Sequence, residues 1–318
     1  MRARPRARPL DLWWAAALPW VAYALALGAT SRLRWEHVVV AALAGVTVTG
    51  GARARSFFVH ALPFFVLFLL YDSMRYWGDL GVAPDRVLGC ELRDLELAWF
   101  GVVMGGRLQT LNDVFVAHHQ PLVDLLVAIP YGAYIPVMIG TFAWLYARDR
   151  DAAMRFAWIA LATHLLGFLT YHLAPAAPPW YVRAHGCVID PAATTSAAGL
   201  ERVDALLGVR YFDALYGRGS AVFGALPSLH VTYPLYGIFA TLRRCPRPAL
   251  GVQIVYAATM VFAAIYLDHH YVVDVLLGVT YALVAFVVVS LVMRSSPPRP
   301  RGAAPTAPPA LGSRRVAS

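Results

Sequence analysis

Two short segments concentrate the groups able to do chemistry: Pro227-Ser228-Leu229-His230 and His269-His270-Tyr271-Val272-Val273-Asp274. Titratable side chains are costly in apolar surroundings, so their presence beside hydrophobic stretches asks for a function. His270 and Asp274 are four residues apart, which on a helix places them on one face, one turn apart. A carboxylate there can accept the Nδ1 proton of His270, fix its tautomer and leave Nε2 as base or nucleophile. His230, from another segment, supplies a second imidazole able to act as the acid. Pro227 suits the first position of a helix. The expected helix then carries Ser228 and His230 in its first turn, where free amides and the positive dipole end attract an anion. Two imidazoles, a carboxylate and an anion-binding turn together point to phosphoryl transfer. Metal ligation through His269, His270 and Asp274 would need further ligands at matching spacing, and the sequence offers no such cluster.

The surroundings of these residues define the class. Of 318 residues, 59% are hydrophobic and 14% charged, with mean hydropathy +0.57. This excludes a disordered chain and disfavours an ordinary soluble domain. The formal charge of +9 comes entirely from arginine, since the chain has no lysine. These arginines are scattered between apolar runs and read as topology signals rather than as a nucleic-acid surface.

Apolar runs near the ~20 residues needed to cross a bilayer fall at 12–29, 35–50, 56–72, 121–146, 153–174, 221–242, 248–267 and 270–293, the second being the weakest. The expected fold is an all-α, polytopic membrane helical bundle. A basic N-terminal segment and hairpin over 1–55 precede a six-span core over 56–293, and a disordered tail over 294–318 follows. Arg2 to Arg8, Arg53 and Arg55, Arg148 to Arg155, Arg243 to Arg247 and the tail arginines all fall on one side, which should be cytoplasmic. The loops 73–120 and 175–220 then face outward, and both chemical segments lie at outer ends of spans where they can meet. Leu200, Val203, Leu206 and Leu207 have helical spacing and suit an amphipathic segment on the membrane surface. Cys90 and Cys187 both fall in outer loops, where an oxidising compartment would allow them to pair.

The combined pattern resembles the phosphatidic acid phosphatase type 2 superfamily. Pro227, Ser228 and His230 match its Pro-Ser-x-His signature, and His270 and Asp274 its His-x-x-x-Asp. Several features are similar to the branch of the inositol phosphorylceramide synthases: Leu229 before His230, the doubled His269-His270-Tyr271, Ala177-Pro178-Pro179-Trp180-Tyr181, Tyr71-Asp72 through Arg75, and Leu95-Glu96 with Trp99-Phe100-Gly101. The resemblance implies that His270 attacks phosphorus and forms a phosphohistidine, that Asp274 orients it, and that His230 protonates the leaving alcohol and then activates the acceptor. It implies no metal and no cofactor.

The chain also departs from the family pattern. The basic residues of the first signature are missing, and Ala263-Ala264 replace the Ser-Arg that opens the third. Another cation must neutralise the phosphate, and Arg75, Arg183 and Arg218 are the outer-face candidates. Tyr181, with Trp180, is a candidate to pack on the lipid or its headgroup. His118 and His119 read as interfacial residues, and His172, which borders the proline-rich segment, as one that either lines the site or caps a helix. The implied partners are a lipid phosphate substrate, membrane lipids, and an alcohol acceptor such as an inositol-type headgroup or a lipid alcohol. The reading is an outer-face lipid phosphatase or phosphotransferase of the cell membrane, with hydrolysis placed ahead of transfer. A membrane binding or transport protein that keeps the fold without turnover is the alternative class.

Overall fold

A computed structural model describes residues 12–77, 82–217, 219, 222–242 and 245–295; Arg218, the N-terminal arginines and the tail after 295 lie outside the described residues. A 3-10 turn (Leu12–Ala17) leads into α1 (Leu18–Ala29), α2 (Trp35–Thr49) and α3 (Ala52–Trp77). A group of shorter elements follows, made of α4 (Cys90–Phe100), the hairpin β1–β2 (Val102–Met104, Arg107–Gln109) and α5 (Leu111–Ala117). Then come α6 (Pro121–Gly132), α7 (Tyr134–Arg148) and α8 (Arg150–Leu173). A second group of short helices holds α9 (Pro179–His185), α10 (Glu201–Leu207) and α11 (Tyr211–Tyr216), and α12 (Thr232–Thr241), α13 (Arg247–Tyr266) and α14 (Val272–Ser295) follow. The molecule is a polytopic helical bundle. Among the described residues, α3, α8, α13 and α14 are long and apolar enough to cross a membrane, and α6 with α7 make a fifth span if the bent pair is one crossing.

Three expectations change. The 121–146 span is broken, with α6 and α7 meeting at 47°. Pro136 has no N–H to give to the Gly132 carbonyl, and its ring crowds that turn, so the ladder opens there. The 221–242 stretch is helical only from Thr232. Ahead of it the chain spends its amides on distant carbonyls, Ala225 N–H to Ala176 and Ser228 N–H to Asp274, and the Leu226–Pro227 peptide is cis. Because α12 begins at Thr232, Pro227 does not open a helix, and Ser228 and His230 are not in its first turn. The surface segment at 200–216 is two helices, because Gly208 takes the left-handed conformation that closes α10.

The core sits around α8, which packs between α3, α12 and α14; Phe156, Ile159, Tyr236 and Val289 are among its buried residues. The bundle places the ends of α6, α12, α13 and α14 around one point. Cys90 and Cys187 are bonded, tying α4 to the segment after α9.

Candidate active site

The site is built where the loop from α13 to α14 meets the turn before α12. Asn112 on α5 fixes that loop: its side-chain amide donates to the carbonyls of Ile265 and His270, both at 3.0 Å. Glu96 on α4 fixes the start of α14 by accepting the N–H groups of Val272 and Val273, both at 3.1 Å. These are amides that the first turn of a helix leaves unpaired. Ser228 N–H donates to the Asp274 carbonyl at 2.9 Å, which draws the two chemical segments into backbone contact. Gly278 makes this approach possible, because a Cβ there would meet the Ser228 carbonyl oxygen at 2.2 Å.

The result is a pair of imidazoles, with His230 Nδ1 3.3 Å from His270 Nε2. His270 Nδ1 lies 3.0 Å from the Ala225 carbonyl, which can only accept. Nδ1 therefore carries the proton and Nε2 the lone pair. His230 Nδ1 must then donate, so the proton between the rings belongs to His230. The sequence reading gave the orienting role to Asp274, yet its Oδ2 is 3.6 Å from Nδ1 and instead accepts the Tyr271 N–H at 2.8 Å. A carboxylate that close still favours an imidazolium, but the hydrogen bond that sets the tautomer comes from the main chain. Ser228 Oγ and Asp274 Oδ1 are buried with no hydrogen-bond partner among the described residues.

Aromatic rings hold the second imidazole. His230 stacks on Tyr131 with centroids 4.7 Å apart and meets Tyr134 edge-on at 5.0 Å. Tyr131 and Tyr134 flank the α6–α7 bend, so the break in the span is what wraps them around His230. His269 joins this cluster, stacked on Tyr131 at 5.3 Å and tilted against Tyr216 at 4.9 Å. Sequence reasoning passed over Tyr131, Tyr134, Asn112 and Glu96 as site builders. The available signals were Pro136 beside the two tyrosines and Glu96 within an otherwise apolar helical stripe.

The proposed phosphate ligands divide. Arg183 makes two hydrogen bonds to Asp268, at 3.0 and 2.9 Å, and a third to Asp113 at 2.9 Å. Asp113 also receives Arg93 at 2.7 Å. Burial alone would raise the Asp113 carboxyl, but hydrogen bonds from Arg93 and Thr110 hold it down at about 2. Burial would lower Arg183, and its two carboxylates reverse this and raise it. Arg183 is thus a fixed charge in an ion network that leads through Asp268 to the loop of His270. Arg75 is spent on Asp72, by an ion pair at 3.2 Å and a bond to that residue's carbonyl. Asp72 also takes Tyr23, His37 and Arg34. Tyr181 is wholly buried: its hydroxyl donates to Val188 O and accepts from Asp190 N–H, and its ring stacks on His185. It braces the loop after α9 and offers no surface to a lipid. His119 pairs with Asp124 at 3.1 Å, and His172 stacks on Trp77 at 4.9 Å. Among the described residues no group of three or more His, Cys, Asp or Glu is arranged to hold a metal ion.

Comparison with known proteins supplies the family. The PAP2 superfamily profile matches residues 99–288. The chain is 37% identical over 268 residues to a phosphoinositol dihydroceramide synthase of Bacteroides thetaiotaomicron, covering 83% of this chain and 87% of that protein. It is 32% identical over 240 residues to an inositol phosphorylceramide synthase of Candida albicans, covering 72% of this chain and 47% of the fungal one. The catalytic subunit of inositol phosphorylceramide synthase from Saccharomyces cerevisiae is 26% identical over 72% of this chain and 56% of its own length. The chain therefore spans about half the length of these two fungal relatives. No solved structure matches at a significant level. The paired imidazoles, the helical membrane bundle and these matches agree that the chain belongs to the PAP2 superfamily and is a multi-pass membrane enzyme acting on phosphoric esters.

Proposed function

We propose that this enzyme transfers a phospho-headgroup from a lipid phosphate ester to a lipid alcohol on the outer face of the membrane, through a phosphohistidine on His270. The observation that carries the reading is the 3.3 Å approach of His230 Nδ1 to His270 Nε2, with His270 Nδ1 spent on Ala225. It leaves one ring with a lone pair to attack phosphorus and the other with a proton beside it. His270 Nε2 forms the P–N bond as the P–O bond to the donor lipid breaks, and His230 gives its proton to the departing oxygen. His230 then takes the proton of the acceptor hydroxyl. The new P–O bond forms, and the P–N bond breaks to restore His270. Asp274 stabilises the imidazolium, and the unpartnered Ser228 hydroxyl is placed to bind a phosphoryl oxygen. Arg183 is the cation that suits the phosphate best, since its partner Asp268 lies two residues before His270.

Transfer now stands ahead of hydrolysis. The relatives named above are synthases of inositol-phosphate lipids of ceramide or dihydroceramide, which favours an inositol-phosphate headgroup and a ceramide-type acceptor here. The outer-face assignment draws support from the arginine distribution and from the Cys90–Cys187 bond. Such a bond belongs to an oxidising compartment and here braces the helix whose Glu96 caps α14.

The test is purified protein with phosphatidylinositol and ceramide, with products followed by mass spectrometry. Transfer of inositol phosphate to ceramide is the expected result, and brief turnover followed by alkaline quench should trap acid-labile inositol phosphate on the chain. A His270→Ala variant that inserts normally and keeps full turnover would end the phosphohistidine reading. Release of free inositol phosphate with no ceramide product would return the assignment to a hydrolase.

A further inference from the structure

A cleft of about 540 Å³ separates α4 from α14 and is not used by the chemistry above. Its walls are two apolar helical stripes that face one another, Leu92, Leu95 and Trp99 on one side and Val273, Leu276 and Thr280 on the other. The spacings of three and four residues put each set on a single helix face. Facing stripes of this kind normally close. Here Glu96 fastens α4 to the first turn of α14, while the Cys90–Cys187 bond fastens the beginning of α4 to another loop. The volume is in the range of ligand sites, about 300–1,000 Å³.

The cleft has sequence neighbours of the site residues at one end and follows α14 away from them. Its upper wall includes Leu226, two residues before Ser228, and Val273, next to Asp274. From Val273 to Thr280 it follows α14 for about 10 Å, and α14 is a membrane-spanning helix by length and composition. Its charge selects between the two lipids of the reaction. Among the described residues no arginine lines it, and the one charged residue there is the exposed carboxylate Glu91. An anionic lipid phosphate would be repelled there, whereas a neutral lipid would not.

We infer that the cleft between α4 and α14 binds the hydrocarbon chain of the neutral long-chain lipid alcohol that accepts the phospho-headgroup, and delivers its hydroxyl beside Ser228 and His230. The inference rests on the transferase reading above, but its test does not need turnover. The probe is a ceramide with a photoreactive diazirine in its acyl chain, irradiated with the purified full-length protein and mapped by peptide mass spectrometry. Label should concentrate in 88–99 and 273–280, compete with excess unlabelled ceramide and resist the same excess of phosphatidylcholine. Leu276→Trp should lower it at least fivefold, whereas Val284→Trp, further along α14, should leave it at the wild-type level. If Leu276→Trp fails to insert, Leu95→Trp fills the same space from α4. A His270→Ala protein should label fully, so a failure of the chemistry is read apart from a failure of the cleft. Label spread evenly over the lipid-facing helices, or unaffected by both tryptophans, overturns the proposal. So does a diazirine phosphatidylinositol that labels the same peptides and is displaced only by unlabelled phosphatidylinositol.

Discussion

Arg183 and Asp268 are joined by two parallel hydrogen bonds, from Nε to Oδ2 at 3.0 Å and from Nη2 to Oδ1 at 2.9 Å. The planar fork of the guanidinium matches the carboxylate, and the third bond, to Asp113, makes Arg183 a junction between α5, α9 and the loop of His270. Lysine can carry the charge but not the fork. Arg183→Lys should therefore lose about tenfold or more in turnover, and Arg183→Ala should also lose about 2 kcal/mol of stability. Initial rates and thermal unfolding in detergent measure the two effects. A lysine variant with wild-type kinetics would show that only the charge matters.

Glu96 makes stability depend on pH in a direction opposite to most carboxylates. Burial raises its pKa above the ordinary value of 4.5, only partly offset by the amides of Val272 and Val273. The folded state then holds the proton more tightly than the unfolded one. The contribution is full below the ordinary pKa and declines as pH climbs through the raised one. Glu96→Gln should flatten that part of the unfolding profile while costing about 1 kcal/mol through the lost helix cap. A profile parallel to the wild type would show that this carboxyl does not titrate there.

The cysteines report sidedness. Cys90 and Cys187 are bonded and Cys245 is free. On intact cells an impermeant maleimide should label none of the three until an impermeant phosphine reduces the outer bond. Cys90 and Cys187 should then react, and Cys245 should react only after permeabilisation. Labelling of Cys245 from outside would invert the orientation.

Two glycines separate packing from helix propensity. Gly251 on α13 has nothing within 4 Å of a built Cβ, whereas at Gly278 the Ser228 carbonyl is 2.2 Å away. Gly251→Ala should be neutral or stabilising by up to about 1 kcal/mol. Gly278→Ala should cost about 1–3 kcal/mol and most of the activity, because backbone cannot yield as a side chain can. Unfolding and turnover of the pair decide this.

Much of the fold was legible because a bilayer demands long apolar runs. The sequence reading found α3, α8, α13 and α14, and the residues His230, His270 and Asp274 that meet in space. What it missed depends on partners far away in sequence. The Pro227 turn looks like a helix start until Ser228 N–H is seen to bond Asp274 on α14. The partners of Arg183, Asp268 and Asp113, lie 85 and 70 positions away, so no local pattern announces the pairing. Tyr181 looks like an interfacial aromatic, and only its buried hydrogen bonds to the 188–190 segment show that it is scaffold. The α6–α7 bend was foreseeable from Pro136, but its purpose, two tyrosines on His230, was not.

The bare contact at Gly278 has a further consequence. Beneath the paired imidazoles, the two signature segments are registered by a main-chain contact, through the Ser228 N–H to Asp274 bond and the missing side chain one turn below. A reference surface made of backbone does not change when side chains do. The residues of α14 that face away from it, such as Val284, Val287 and Val288, are exposed on the bundle's exterior. They are free to drift with the composition and thickness of the surrounding bilayer while the two imidazoles keep their spacing.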